Sequence, residues 1–354
     1  MPTKRKPARK KPDPVFKLPP FKVEQIFVTM AETQDWGLRL FGIPGLWSRS
    51  KGEGVKVAVL DTGAALDHPD LKGQIDEAVD FTGSRFGPSD QNGHGTHCCG
   101  VIAAAENDTG IVGVAPKARL YVGKVLGDNG SGGGAGIARG IKWATDKGVH
   151  IISMSLGSSE PDPQIRAACQ YAASKGVLIV AAAGNEGPYD NTVGYPGGFP
   201  ECLCVAAIDQ AKRIAKFSSR GSQVDVAAPG VDILSCYPPK GYAKLSGTSM
   251  ATPFVAGVVA LLVGRQLASG KRTITTIAAL KDAIHKTAVD AGNPGFDTAY
   301  GWGLINPDSL IPAAADPAPP PAADGPLSIA LDASDFTPAG LQKLKGLKSL
   351  TIQL

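Results

Sequence analysis

The chain has 354 residues, 43% of them hydrophobic and 19% charged, with a formal net charge of +4. That length suits one large domain plus extensions, and the apolar share is enough for a sizeable buried core. A collagen-like or largely disordered polymer is excluded, because the 44 glycines cluster in short loops without a repeat.

In chain order, residues 1–13 come first and hold Lys4, Arg5, Lys6, Arg9, Lys10 and Lys11 against Asp13, so the rest of the chain is close to neutral. Such a run is either a solvated arm or a patch that touches nucleic acid or anionic lipid. No base-stacking aromatics accompany it, so nucleic acid is not an expected partner. Prolines and lysines from Pro12 to Lys22 break any apolar stretch behind the basic start, which argues against a secretory signal. No stretch of 18 or more apolar residues is found, so no membrane span is expected. Residues 1–31 form a front extension and 32–311 the main domain. Within the domain, short apolar runs at 55–60, 120–125, 151–154, 177–182 and 203–207 read as buried parallel strands. Helical patterns at 137–146 and 164–175 alternate with them. This predicts a three-layer, mostly parallel doubly wound α/β sheet with helices on both faces. Working residues in such sheets gather at the carboxyl ends of the strands. The longest helical pattern, 249–268, is apolar nearly all round and is expected inside the core. A Pro/Ala linker follows at 312–326, then a tail at 327–354 whose LQKLKGLKSLTIQL looks like a single leucine-rich repeat, unable to bury its own face. Six cysteines, two adjacent and two in C-x-C, are poorly spaced for disulfides. Buried thiols in a reducing, cytoplasmic compartment are expected.

Four segments carry chemistry. Asp61 closes the strand VKVAVLD and is followed by Thr62–Gly63. D-T-G also occurs in aspartic proteases, which need two such carboxylates sharing a proton, but the other D-T-G here, Asp108-Thr109-Gly110, lies in the loop AENDTGI and not at the end of an apolar strand run. His94 stands between glycines in NGHGTHCCG; His97, Cys98 and Cys99 beside it raise a metal-site reading that lacks a second Cys/His cluster. Ser249 in GTSMATPFVAG opens the buried helix, where a developing oxyanion would meet amides without helical partners; a plain N-cap is the alternative. Asn185 in AAAGNEG follows the strand VLIV and either offers its amide to such an oxyanion or sits in an ordinary turn.

Together these segments resemble the subtilisin family of serine proteases, with the family's chain order of Asp, His and Ser. The resemblance covers roughly residues 34–311 and includes HPDL, GVAPKARL, IISMSLG, DVAAPG and GWGLIN. It implies an endopeptidase acting on proteins or peptides, in which Ser249 attacks, His94 moves the proton, Asp61 orients His94, and Asn185 with the Ser249 N–H binds the oxyanion. A non-catalytic binding protein on the same scaffold should have lost one of these four residues, and none is missing. By the same resemblance the substrate lies extended between Gly130–Ser131–Gly132 and Ser155–Leu156–Gly157. Gly194 implies a primary pocket deep enough for a large apolar side chain, with Glu186 at its rim able to accept a basic one. Gly134 stands where many relatives carry an aromatic, implying a wider distal pocket. One calcium ion is implied at Asp70 and Asn107 with the carbonyls of Ala105, Thr109 and Ile111, and with Glu32 or Gln34 as a further ligand. Asp225 is either the place of a second, weaker cation site or a plain surface carboxylate. Cys98 resembles the thiol-containing branch of the family, under the catalytic imidazole. Leu18-Pro19-Pro20-Phe21 looks like the inhibitory segment of intracellular subtilisins, relatives of which are often homodimers.

Overall fold

The computed structural model describes residues 14–19, 22–27 and 31–313. The basic run 1–13, Pro20, Phe21 and the linker and tail from 314 onward lie outside them, and with them the expectations made there. The compact unit runs to Pro312.

Two short strands come first, β1 (Val15–Lys17) and β2 (Lys22–Phe27), then the short helices α1 (Trp36–Leu40) and α2 (Ile43–Leu46). Next are β3 (Lys56–Asp61), β4 (Ile75–Asp80), α3 (His94–Ala103), β5 (Arg119–Lys124), β6 (Ser131–Gly133) and α4 (Gly134–Asp146). They are followed by β7 (Ile151–Met154), α5 (Pro163–Ser174), β8 (Leu178–Ala182), β9 (Leu203–Ile208) and β10 (Val226–Pro229). The hairpin β11 (Ile233–Tyr237) and β12 (Gly241–Ser246) leads into α6 (Thr248–Ala268), α7 (Ile277–Thr287) and α8 (Pro307–Leu310).

Seven parallel strands form the main sheet in the order β10-β9-β8-β7-β3-β5-β4. Their Val, Ile, Leu and Ala runs are buried on both faces, as a sheet between two helical layers requires. Along β3 the side chains alternate: Val57 and Val59 join the core with Met250 and Phe254 of α6, while Ala58 and Leu60 join the one with Ile137 of α4 and Ile165 of α5. The winding direction reverses at β3, which pairs with β5 on one side and β7 on the other. A crevice therefore opens past the carboxyl ends of β3 and β7, next to Asp61 and Ser155.

Helix α6 differs from the expectation in one respect. It is long and apolar enough to cross a membrane by length and composition, with a mean hydropathy of 1.5. Every residue from Thr248 to Gly264 is nevertheless buried in the core.

Candidate active site

The site grows from three strand and helix ends. Asp61 is the last residue of β3 and fully buried. Its Oδ1 accepts from the Thr62 N–H at 2.7 Å and lies 2.8 Å from His94 Nδ1, with Oδ2 at 3.0 Å from the same nitrogen. An ionised carboxylate can only accept, so it fixes the proton on Nδ1 and turns Nε2 away as the basic nitrogen.

His94 is the first residue of α3. Gly93, the cap residue, has φ 102° and no capping side chain; a side chain there would strike the Tyr237 ring. Asp90, 3% exposed and unassigned by the sequence reading, does the capping instead. Its Oδ1 accepts from Thr62 Oγ1, Asn92 N and Gly93 N, each at 2.9 Å, and its Oδ2 from Thr96 N and Thr96 Oγ1 at 2.9 and 2.6 Å. Thr62 Oγ1 in turn accepts from Gly95 N at 2.9 Å. One buried carboxylate thus ties the end of β3 to the start of α3, the two elements that hold Asp61 and His94. The signal available in sequence was Asp90 ahead of Asn92–Gly93, an Asp whose side chain can accept from amides two and three residues on. Beneath lies Lys124, fully buried, whose Nζ donates to the Thr62 carbonyl at 2.6 Å and pairs with Asp128 at 2.9 Å.

Ser249 is the second residue of α6. Pro253 lies further into the helix than its first turn and supplies no N–H to the Ser249 carbonyl. That carbonyl accepts instead from Ser155 Oγ at 2.8 Å and Cys98 Sγ at 3.5 Å. The proline therefore frees an acceptor that ties α6 to β7 and α3. Cys98 Sγ also lies 3.9 Å from His94 Nδ1, so it touches both sides of the site. Burial pushes this thiol well above its ordinary pKa, which keeps it protonated and a poor nucleophile. Ser249 Oγ faces the Ser155 carbonyl at 3.4 Å. Asn185 is fixed by Thr248, whose N–H and Oγ1 donate to Asn185 Oδ1 at 3.0 and 2.9 Å. The Nδ2 end is thereby turned to the Gly247–Ser249 side.

Among the described residues His97 joins no group of metal-ligating side chains. Its Nε2 lies 2.8 Å from the Ile233 carbonyl and 3.2 Å from that of Ala243, and burial lowers its pKa to about 3.

Part of the chain lies between the segments 130–132 and 155–157. β1 pairs antiparallel with β6, Phe16 opposite Gly132 and Lys17 opposite Ser131. Lys17 N donates to Gly157 O at 3.0 Å, Gly157 N to Lys17 O at 3.1 Å, and Leu18 N to Gly130 O at 3.0 Å. Ser155 and Leu156 are buried behind this edge. Pro19 borders a cavity of about 470 Å³ with Gly157, Ala183, Glu186 and Gly194. A methyl group on Gly194 would stand 3.2 Å from the Ser158 carbonyl, so glycine keeps that wall open. The Glu186 carboxylate accepts from Ser219 Oγ at 2.9 Å. Phe16 is fully buried among Leu126, Ile137, Leu156 and Ile165. The distal pocket is not simply wider at Gly134: any side chain there would collide with Asp162, which caps α5 and occupies that space.

At the expected calcium loop, Asp70 is fully buried, accepting from Asn107 Nδ2 at 3.1 Å and Ile111 N at 2.9 Å. Ala105 N donates to the Asp70 carbonyl at 2.9 Å. Among the described residues nothing donates to the carbonyls of Ala105, Thr109 or Ile111. Asn107 turns its Nδ2 to Asp70, while its Oδ1 accepts from Thr109 N at 3.1 Å and Thr109 Oγ1 at 2.9 Å, so oxygen ligands for calcium would be offered by the Asp70 carboxylate and the three carbonyls. Glu32 Oε2 accepts from Asn107 N at 2.9 Å, so this carboxylate braces the loop; the Gln34 carbonyl accepts from Arg39. The expectation of a second cation near Asp225 is corrected. Asp225 is buried, with Lys281 Nζ and His285 Nε2 each at 3.0 Å and the Cys204 N–H at 2.8 Å. Side chains of α7 supply the positive charge there. All six cysteines are free and buried.

A buried Asp–His pair and a serine at a helix start thus lie at the carboxyl edge of a parallel sheet, both in contact with Cys98 Sγ. Residues 52–303 match the subtilase family of serine peptidases, and the chain belongs to that family and is a serine endopeptidase. It is 45% identical over 276 residues to an intracellular serine protease of Paenibacillus polymyxa, covering 76% of this chain and 84% of that one. It is 42% identical over 282 residues to the M-protease of Shouchella clausii (strain KSM-K16), covering 79% and 70%. Identity to Subtilisin Savinase of Lederbergia lenta is 41% over 280 residues, covering 79% and 99%.

Proposed function

We propose that Ser249 Oγ attacks the scissile carbonyl while His94 Nε2 takes its proton and later delivers it to the leaving amine. Asp61 holds the tautomer and stabilises the imidazolium. Asn185 Nδ2 and the Ser249 N–H receive the oxyanion, and the start of α6 adds its partial positive charge. Water then deacylates the serine by the same proton route. The observation that carries this reading is the 2.8 Å Asp61–His94 contact, buried beside a serine whose neighbour Thr248 fixes the oxyanion amide.

The primary pocket beside Gly194 takes a large apolar side chain before the cleaved bond. Residues 15–19 act as an inhibitory strand: they use the substrate's own backbone contacts, and Pro19 lacks the N–H a substrate would offer. Asp70, Asn107 and the carbonyls of Ala105, Thr109 and Ile111 hold a calcium ion that stiffens the loop after α3 and takes no part in the chemistry. Six buried thiols and the intracellular serine protease among the relatives favour a cytoplasmic enzyme. The test is hydrolysis of a chromogenic tetrapeptide by the full chain, Ser249→Ala and Phe16→Asp. The wild type should cleave it, Ser249→Ala should not, and Phe16→Asp, which places a charge in a buried apolar pocket, should be faster than wild type. Equal rates for wild type and Phe16→Asp would refute the inhibitory role, and full activity of Ser249→Ala would refute the mechanism.

A further inference from the structure

The pairing of β1 with β6 fixes the direction in which a bound strand leaves the cleft. Val15 lies opposite Gly133 and Lys17 opposite Ser131, so the upstream end points at Gly134, the first residue of α4. Asp162, which caps α5, stands against that glycine, so both helices begin there. A cavity of about 360 Å³ lies between α4 and α5 along their facing stripes. Ala135 and Ala138 on one helix and Ala167 and Ala168 on the other keep it open, because none carries a side chain longer than a methyl. Arg139 and Lys142 stand along it. Arg139 Nη2 donates to the Phe81 carbonyl at 3.1 Å, and the side chain is exposed. Lys142 lies over the Tyr171 ring at 4.5 Å and 3.4 Å from Asp146 Oδ2, with its side chain 62% exposed. Asp146, at the far end of α4, also accepts from Tyr171 OH at 2.6 Å.

Length fits as well. From Gly134 to Lys142 is eight helical steps, about 12 Å, which three or four extended residues span. With Pro19 counted as the residue before the cleaved bond, Val15 is the fifth, and the next few reach the two cations.

We propose that a substrate polypeptide lays the residues five to eight positions before its cleaved bond into the α4–α5 groove, where Arg139 and Lys142 select acidic side chains. This rests on the endopeptidase reading and extends it to substrate class: proteins with an acidic stretch upstream of an apolar cleavage site. The groove continues directly from the β6 edge, so a substrate held at that edge runs on into it. Asp162 is committed to the α5 amides, accepting from Gln164 N and Ile165 N at 2.7 and 3.0 Å.

The test uses fluorogenic peptides that share one four-residue core before the bond, unextended or extended upstream by four residues rich in Ala, Glu or Lys. Residues 14–19 compete equally with every peptide, so ratios of kcat/KM measured on the full chain are unaffected by them. Binding of the same peptides to Ser249→Ala, read by fluorescence anisotropy, gives the ranking without cleavage. The Glu-extended peptide should exceed the Ala-extended one about threefold to tenfold at low salt, with Lys lowest, and the spread should collapse in high salt. Arg139→Ala with Lys142→Ala should erase the ranking and leave the unextended peptide unchanged. Ala138→Trp with Ala168→Trp should bring all extended peptides down to the unextended one. Equal affinity and rate for all extensions, or a ranking that survives the double alanine variant, would overturn the proposal. Ranked binding without any hydrolysis would uphold the groove and refute the endopeptidase reading instead.

Discussion

Replacing Asp90 by asparagine tests how the site is assembled. The carboxylate accepts five hydrogen bonds while 3% exposed. Asparagine keeps the oxygen facing Thr62, Asn92 and Gly93 but presents an N–H₂ to the Thr96 amide and hydroxyl. The hydroxyl can rotate to accept; the amide cannot, so one buried donor is orphaned and one charge-assisted bond is lost. At about 1–3 kcal/mol for each of these losses, the variant should be about 2–6 kcal/mol less stable. At about 2–4 °C for each kcal/mol, Tm should fall by about 4–24 °C. Because the lost anchor sits at the first turn of α3, His94 should also drift relative to Asp61. The rate constant kcat should fall about tenfold or more, with KM changed little. Differential scanning calorimetry and steady-state peptide hydrolysis measure both. A Tm within about 1 °C of wild type together with unchanged kcat would refute the assignment of Asp90 as the brace between β3 and α3.

Cys98→Ala should retain peptide hydrolysis within a few-fold and lose sensitivity to mercurials, since the thiol is protonated and only packs against His94 and Ser249; complete loss of activity would count against this. A chelator should lower the Tm of the wild type, by the equivalent of about 3 kcal/mol if calcium had been at about 100 times its Kd. Asp70→Asn should start at that lower Tm and not respond to chelator. His97, with a pKa near 3 against an ordinary 6.5 because burial disfavours its charge, binds its proton in the unfolded chain first. Stability should therefore fall as pH drops from about 6.5 toward 3. The denaturant midpoint of His97→Gln should show a shallower slope over that window, and an identical slope would argue against it.

What could be read from the sequence was decided by periodicity and by local turn chemistry. The strands β3, β5, β7, β8 and β9 were legible because a strand buried on both faces is a plain apolar run. Asp61, Asn185 and Ser249 stand at a strand's end or a helix start, where each also had a plain reading, and their roles came from the resemblance to the subtilisin family. Helix α3 was not, since HGTHCCGVIA is buried all round, rich in glycine and without an amphipathic stripe. Strand β4, IDEAVD, sits at the sheet edge and alternates too weakly to stand out. Asp90 offered only its local partners Asn92, Gly93 and Thr96 in sequence; the bond to Thr62, which makes it a brace, forms only in the fold. The cation expected near Asp225 failed for a similar reason: Lys281 and His285 lie 56 and 60 positions further along, and sequence gives no sign that they pair with it.

The central claim is that Ser249 is activated by His94. Treatment with phenylmethylsulfonyl fluoride, followed by intact mass measurement and peptide mapping, tests it directly. One sulfonyl adduct on Ser249 in the wild type, nearly absent in His94→Ala, is the predicted result. Labelling that falls on another residue, or that modifies Ser249 equally fast without His94, would contradict the account.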